Sequence, residues 1–112
     1  MSDVAAVDFG ALTPEDEAPG VSARVAEVEG ARWALVEYAP GAARPEWCAD
    51  GHRGYVVAGA VEYEFDDGRE PLRVLAGQAF RLPGGPPEHR GRNAGAEPAR
   101  LFLIDDPAGG GA

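Results

Sequence analysis

The chain has 112 residues, 45% of them hydrophobic and 26% charged, with a formal net charge of -9. That length and balance describe one ordinary globular domain with a modest core. The negative charge excludes a face built for nucleic-acid phosphates or for an anionic membrane surface. No apolar run reaches the roughly 20 residues of a membrane-spanning helix, and no basic-then-apolar leader opens the chain, so the expected location is the cytoplasm.

In chain order, residues 1–20 read as a lead-in. Val4 to Leu12 has the apolar content of an edge strand, and Thr13 to Glu17 reads as a turn or short capped helical turn with a solvated acidic run. From Val21 the pattern has period two, with Val21, Ala23 and Val25 alternating with Ser22 and Arg24 up to a turn at Glu29-Gly30. Trp33 to Tyr38 is an aromatic and β-branched strand that Pro40-Gly41 ends. Gly54 to Ala58 and Val61 to Phe65 read as hairpin arms joined at Gly59, and Asp66-Asp67-Gly68 is a strong turn signal. Leu72 to Leu75, Gln78 to Leu82 and Arg100 to Ile104 supply three more short strands. Residues 107–112 are Gly/Ala/Pro-rich and read as a disordered tail, leaving 21–106 as the domain. Seven or eight short strands with turns between them, and no long helix pattern, predict an all-β sandwich or barrel.

Every basic residue is arginine, so Schiff-base chemistry by lysine is excluded, and no serine or threonine stands in a hydrolase-like motif. The single cysteine, Cys48, cannot form an intrachain disulfide. Cys48 and His52 fall in one Gly/Pro-bounded segment, Pro40 to Gly59, while His89 falls in another, Gly77 to Asn93. Concentrating all the soft ligands in two segments points to one composite metal site. Residues two apart on a strand point the same way, so Glu46 and Cys48 converge there if the segment is extended. A turn at Asp50-Gly51 brings back His52, and the rigid Pro83 to Pro87 loop delivers His89. A carboxylate, a thiolate and two imidazoles suit Zn²⁺ best, with Fe, Ni or Cu as alternatives. The competing reading makes Cys48 a small core residue and His89 a plain loop histidine beside Glu88. Arg53, Arg81 and Arg90 are surface counter-charges or, near the site, clamps for a substrate carboxylate.

The spacing resembles that of the cupin superfamily. The first segment runs Gly41, Glu46-x-Cys48, three residues, His52, six residues, Gly59, with Glu, Cys and His where His, His and Glu are usual and a leading gap one residue short. The second runs Gly77, five residues, Pro83-x-Gly85, three residues, His89, three residues, Asn93, and its one inserted residue puts Glu88 in the usual histidine register. The stretch Trp47-Cys48 through His52 to Tyr55-Val56 is also similar to a subgroup of small cupins with an Asp/His/Cys/Trp signature, except that Glu46 stands in the Asp position. The resemblance implies a jelly-roll barrel binding one divalent metal in its mouth through Glu46, Cys48, His52 and His89. It also implies homodimers and a small polar ligand. A metal-dependent oxygenase, isomerase or lyase, and a metal-free degenerate cupin serving as a dimerisation module, are the alternatives.

Overall fold

The computed structural model describes residues 5–106, and among these the regular structure is one 3-10 turn, Phe9–Ala11, and nine strands. The strands are β1 Glu15–Ala18, β2 Val21–Val28, β3 Ala31–Tyr38, β4 His52–Ala58, β5 Ala60–Phe65, β6 Leu72–Leu75, β7 Ala79–Leu82, β8 His89–Arg92 and β9 Ala99–Asp105. They form two antiparallel sheets, one ordered β1-β2-β3-β9-β4-β7 and the other β6-β5-β8, packed as a jelly-roll sandwich.

Period-two alternation builds the core. Val21 and Ala23 on β2, Ala34, Val36 and Tyr38 on β3, and Ala99, Leu101 and Leu103 on β9 turn inward to meet Val61 and Tyr63 from the smaller sheet. The β2–β3 hairpin closes over Glu29-Gly30, both with positive φ (50° and 80°), the conformation whose twist suits a two-residue loop.

Three expectations are corrected. The edge strand is Glu15–Ala18, pairing with β2, rather than Val4 to Leu12, of which Val4 lies outside the described residues. The acidic run is therefore strand rather than turn, because an edge strand keeps one side in water where carboxylates remain solvated. Second, β4 and β5 are not partners. Both edges of β4 are taken, by β7 and β9, so the chain crosses at Gly59 into the other sheet. Gly59 has φ +71°, and a Cβ there would lie 2.5 Å from the Pro98 carbonyl oxygen, so the crossing requires glycine. Third, β8 reads as no strand in the sequence, His-Arg-Gly-Arg being poor in β-formers. Its glycine has a packing reason, since a Cβ on Gly91 would sit 2.6 Å from the Tyr38 hydroxyl. The expected tail, 107–112, lies outside the described residues.

The segment after β3 positions the site. Buried Asn93 donates from Nδ2 to the carbonyls of Tyr38, Ala39 and Glu97 and accepts from Gly95 N–H, fastening the end of β3 to the loop after β8. From there residues 41–48 run beside β8, with Gly41 N–H donating to Asn93 O, Arg44 N–H to Gly91 O and Cys48 N–H to His89 O. Cys48 thereby faces His89 across a bridge closed by two backbone hydrogen bonds, 2.7 and 3.0 Å long. No helix among the described residues is long and apolar enough to cross a membrane.

Candidate metal centre

Cys48, His52 and His89 converge, and one ligand atom from each lies within 4.8 Å of the others. They arrive from three places in the fold: the irregular segment beside β8, the first residue of β4 and the first residue of β8. Cys48 Sγ is 3.7 Å from His52 Nε2, and the two imidazoles meet edge to face with centroids 5.0 Å apart. The cluster borders a cavity of about 730 Å³.

Asp105 completes the arrangement. The last residue of β9, it is in register with His52, and its Oδ1 lies 2.9 Å from His52 Nδ1. An ionised carboxylate can only accept, so Nδ1 carries the proton and Nε2 faces Cys48. This carboxylate–imidazole pairing is the usual support behind a metal-ligating histidine. The sequence carried a signal for it, because Asp105 is in phase with inward-facing Ala99, Leu101 and Leu103.

The electrostatics arise from these contacts. Contact with His52 first, and then with the neighbouring His89 imidazole, lowers the Cys48 thiol to about 6 against the opposing effect of burial. Burial alone would lower His52, but the Asp105 hydrogen bond and contact with Cys48 hold it up at about 9. Burial would raise Asp105, and His52 keeps it below its ordinary range. Without metal the pair is thus a thiolate beside an imidazolium through the neutral range.

His89 is 2% exposed, and its Nε2 has no hydrogen-bond partner among the described residues. A buried, unpartnered imidazole nitrogen in a Cys/His/His group is costly unless something ligates it. The donor set therefore fits a divalent transition metal, which Cys48, His52 and His89 would hold through imidazole and thiolate donors of the kind zinc favours.

Glu46 borders the cavity but is exposed and stands outside this three-residue group. The physical reason is local. Residues 43 and 48 bridge to β8 while Glu46 sits at a bend between them, so the strand alternation that would align Glu46 with Cys48 does not hold. Glu88 is not among the cavity residues, and its N–H donates to Asp66. Of the three arginines singled out, Arg90 stacks over Trp47 at 4.1 Å and pairs with Glu64, while Arg53 and Arg81 lie away from the cavity. The arginines that do line it are Arg32 and Arg44 as well as Arg90. Arg32 was legible from its phase with Ala34, Val36 and Tyr38, whereas Arg44, in irregular backbone, had no pattern to reveal it.

Residues 34–105 match the cupin domain family. The chain belongs to that family. Among solved structures, a protein of unknown function from Rhizobium leguminosarum superposes with a TM-score of 0.75 at 18% identity, covering 94% of this cupin and 98% of that chain. KdgF from Halomonas sp. gives 0.64 at 25% identity over 83% of this chain and 84% of its own. AerE from Microcystis aeruginosa gives 0.71 at 22% identity over 84% of this chain, which spans only 44% of AerE. No curated protein sequence matches this cupin.

The Asp105 support is open to test. Asp105→Asn keeps the shape but can present a donor to Nδ1, and is expected to weaken zinc binding by about 10- to 100-fold. Competition titration against a chromophoric chelator measures it. An unchanged affinity would mean that Asp105 does not support a ligating histidine.

Proposed function

We propose that this cupin holds one divalent metal, zinc in preference, through Cys48, His52 and His89 and presents it to a small polar ligand in the adjoining cavity. The observation that carries this reading is the convergence of a thiolate and two imidazoles, one with a buried unpartnered nitrogen, beside a cavity of about 730 Å³. Three protein ligands leave a zinc ion an open position, whereas a closed four-ligand set is the structural pattern. A bound metal there supplies a Lewis acid and a site for exchangeable water or ligand oxygen. The chain's own groups supply the rest: Asp105 fixes the His52 tautomer, and buried Tyr63 packs edge-on against His89 at 6.0 Å and backs that ring. The open position favours an enzyme as second reading over a metal-free module.

Titration calorimetry with Zn²⁺ tests the reading. Between about pH 6 and pH 9, Cys48 is already a thiolate while His52 still holds the proton that a metal at Nε2 must displace. Binding near pH 7.5 is expected to release about one proton from His52, read from the dependence of binding heat on buffer ionisation enthalpy. Below about pH 6 the Cys48 proton must leave as well, and affinity falls more steeply. No saturable binding, or binding without proton release, would overturn the assignment.

A further inference from the structure

A second polar group borders the same cavity and has no part in metal ligation. Glu17 forks its carboxylate between two guanidinium groups, Oε2 accepting from Arg32 Nη2 at 2.6 Å and Oε1 from Arg44 Nη2 at 2.7 Å. Arg44 Nε donates to the Tyr38 hydroxyl at 2.9 Å, which aims the guanidinium. Arg32 Nη1 lies 3.6 Å from Asp105 Oδ2, the carboxylate whose other oxygen holds His52. The two arginines are thus joined through Asp105 to the metal cluster, and Tyr38, Arg32, Arg44 and Glu17 all face the cavity.

Arginine pairs of this kind are shaped to receive a carboxylate in two-point fashion. What occupies the seat is held by side-chain ion pairs and not by the sheet ladder. β1 is a four-residue edge strand, and its pairing with β2 slips between Asp16 and Ala18, so Glu17 is the unpaired residue of a bulge. Its side chain is 23% exposed, and the two charge-assisted bonds to Arg32 and Arg44 are what a ligand carboxylate has to replace.

We infer that the cavity takes a small carboxylate-bearing ligand, seated on Arg44 and Arg32 in the place Glu17 holds, with its other polar end toward the metal position. This rests on the metal-and-ligand reading above and names its ligand class. Glu17 is then an internal competitor, a carboxylate that fills the seat until a ligand displaces it. Arg32 and Arg44, the latter aimed by Tyr38, select for the carboxylate, while Cys48, His52 and His89 face the ligand's other end.

Metal content is measured first, so that failure of the metal reading is distinguished from failure of the ligand assignment. Glycolate, lactate and succinate, with glycolamide and lactamide as uncharged controls, are then titrated into zinc-loaded and metal-free protein by calorimetry. At least one acid is expected to bind while its amide does not. Glu17→Gln is expected to tighten that binding several-fold, because the competitor loses its charge. Arg44→Leu is expected to weaken it at least about tenfold, and Arg44→Lys, which keeps charge but loses the fork, to fall between. Metal stoichiometry stays unchanged in all three. The inference is overturned if no acid binds wild type or Glu17→Gln, or if Arg44→Leu binds as well as wild type. It is overturned equally if Glu17→Gln lowers only the melting temperature and leaves affinity unchanged, since Glu17 is then a latch for β1. Because Arg44 also packs on Tyr38, thermal melts of each variant confirm folding, and the Glu17→Gln gain stands as a test independent of Arg44.

Discussion

His89→Ala is expected to empty the metal site. Wild-type protein reconstituted with zinc should carry about one metal per chain by elemental analysis, and His52→Ala, Cys48→Ala and His89→Ala should each retain a small fraction after dialysis. With three protein ligands, losing one removes a large share of the roughly 10–16 kcal/mol of binding free energy typical of tight zinc sites. A share of about 3–4 kcal/mol corresponds to about 10²- to 10³-fold in affinity. Glu46→Ala serves as the contrast. Glu46 is exposed and outside the three-residue group, so its loss should leave metal content unchanged. His89 is also a packed residue, edge-on to Tyr63 and His52, so His89→Ala should lower the stability of the metal-free protein as well. Melting both forms separates the two effects: only the metal-dependent increment should vanish. Retention of full metal by His89→Ala would remove His89 from the site.

Leu101→Ala is expected to be among the most damaging substitutions in the core. Leu101 is 0% exposed and sits on β9 between Val36 of β3 and Val56 of β4, at the centre of the larger sheet. Truncating a buried leucine costs about 2.7–5 kcal/mol, through lost transfer free energy plus the cavity left behind. Against a total stability of about 5–15 kcal/mol this is a large fraction. The melting temperature should fall by about 10–20 °C. Leu75→Ala, at a position 45% exposed, should change stability by no more than about 0.5 kcal/mol. A small effect at Leu101 in a thermal melt would mean that this layer can collapse around the gap. Since β9 also ends in Asp105, a weakened Leu101 layer should loosen the support behind His52.

β2, β3, β5 and β9 were read from residues in phase, which a half-buried sheet enforces, and β4, β6 and β7 from short apolar runs bounded by turn residues. β8 was not legible because its inward residues are His89 and Gly91, a buried imidazole beside Cys48 and His52 and a glycine that fits under the Tyr38 hydroxyl, neither a strong strand former. The expected β4–β5 hairpin failed for a topological reason, since nothing local to Gly59 reveals that β7 and β9 already occupy both edges of β4. At the site, Cys48, His52 and His89 stood out because they are chemically rare in this chain. Glu46 looked equivalent only on the assumption of extended backbone, which the bend between residues 43 and 48 breaks. Asp105 and Arg32 were readable from strand phase, given the premise that an inward-facing charge is there for a partner. Glu17 and Arg44 depend on a bulge and an irregular segment, which no short-range pattern encodes.

The most direct test of the metal centre is X-ray absorption at the zinc edge of reconstituted protein. The expected spectrum has one sulfur scatterer near 2.3 Å, from Cys48, and imidazole nitrogens near 2.0–2.1 Å, from His52 and His89, with the remaining position filled by a light atom. Loss of the sulfur shell in Cys48→Ser would complete that result. A shell of oxygen and nitrogen alone in the wild-type protein would contradict it, placing Cys48 in the core and the metal elsewhere.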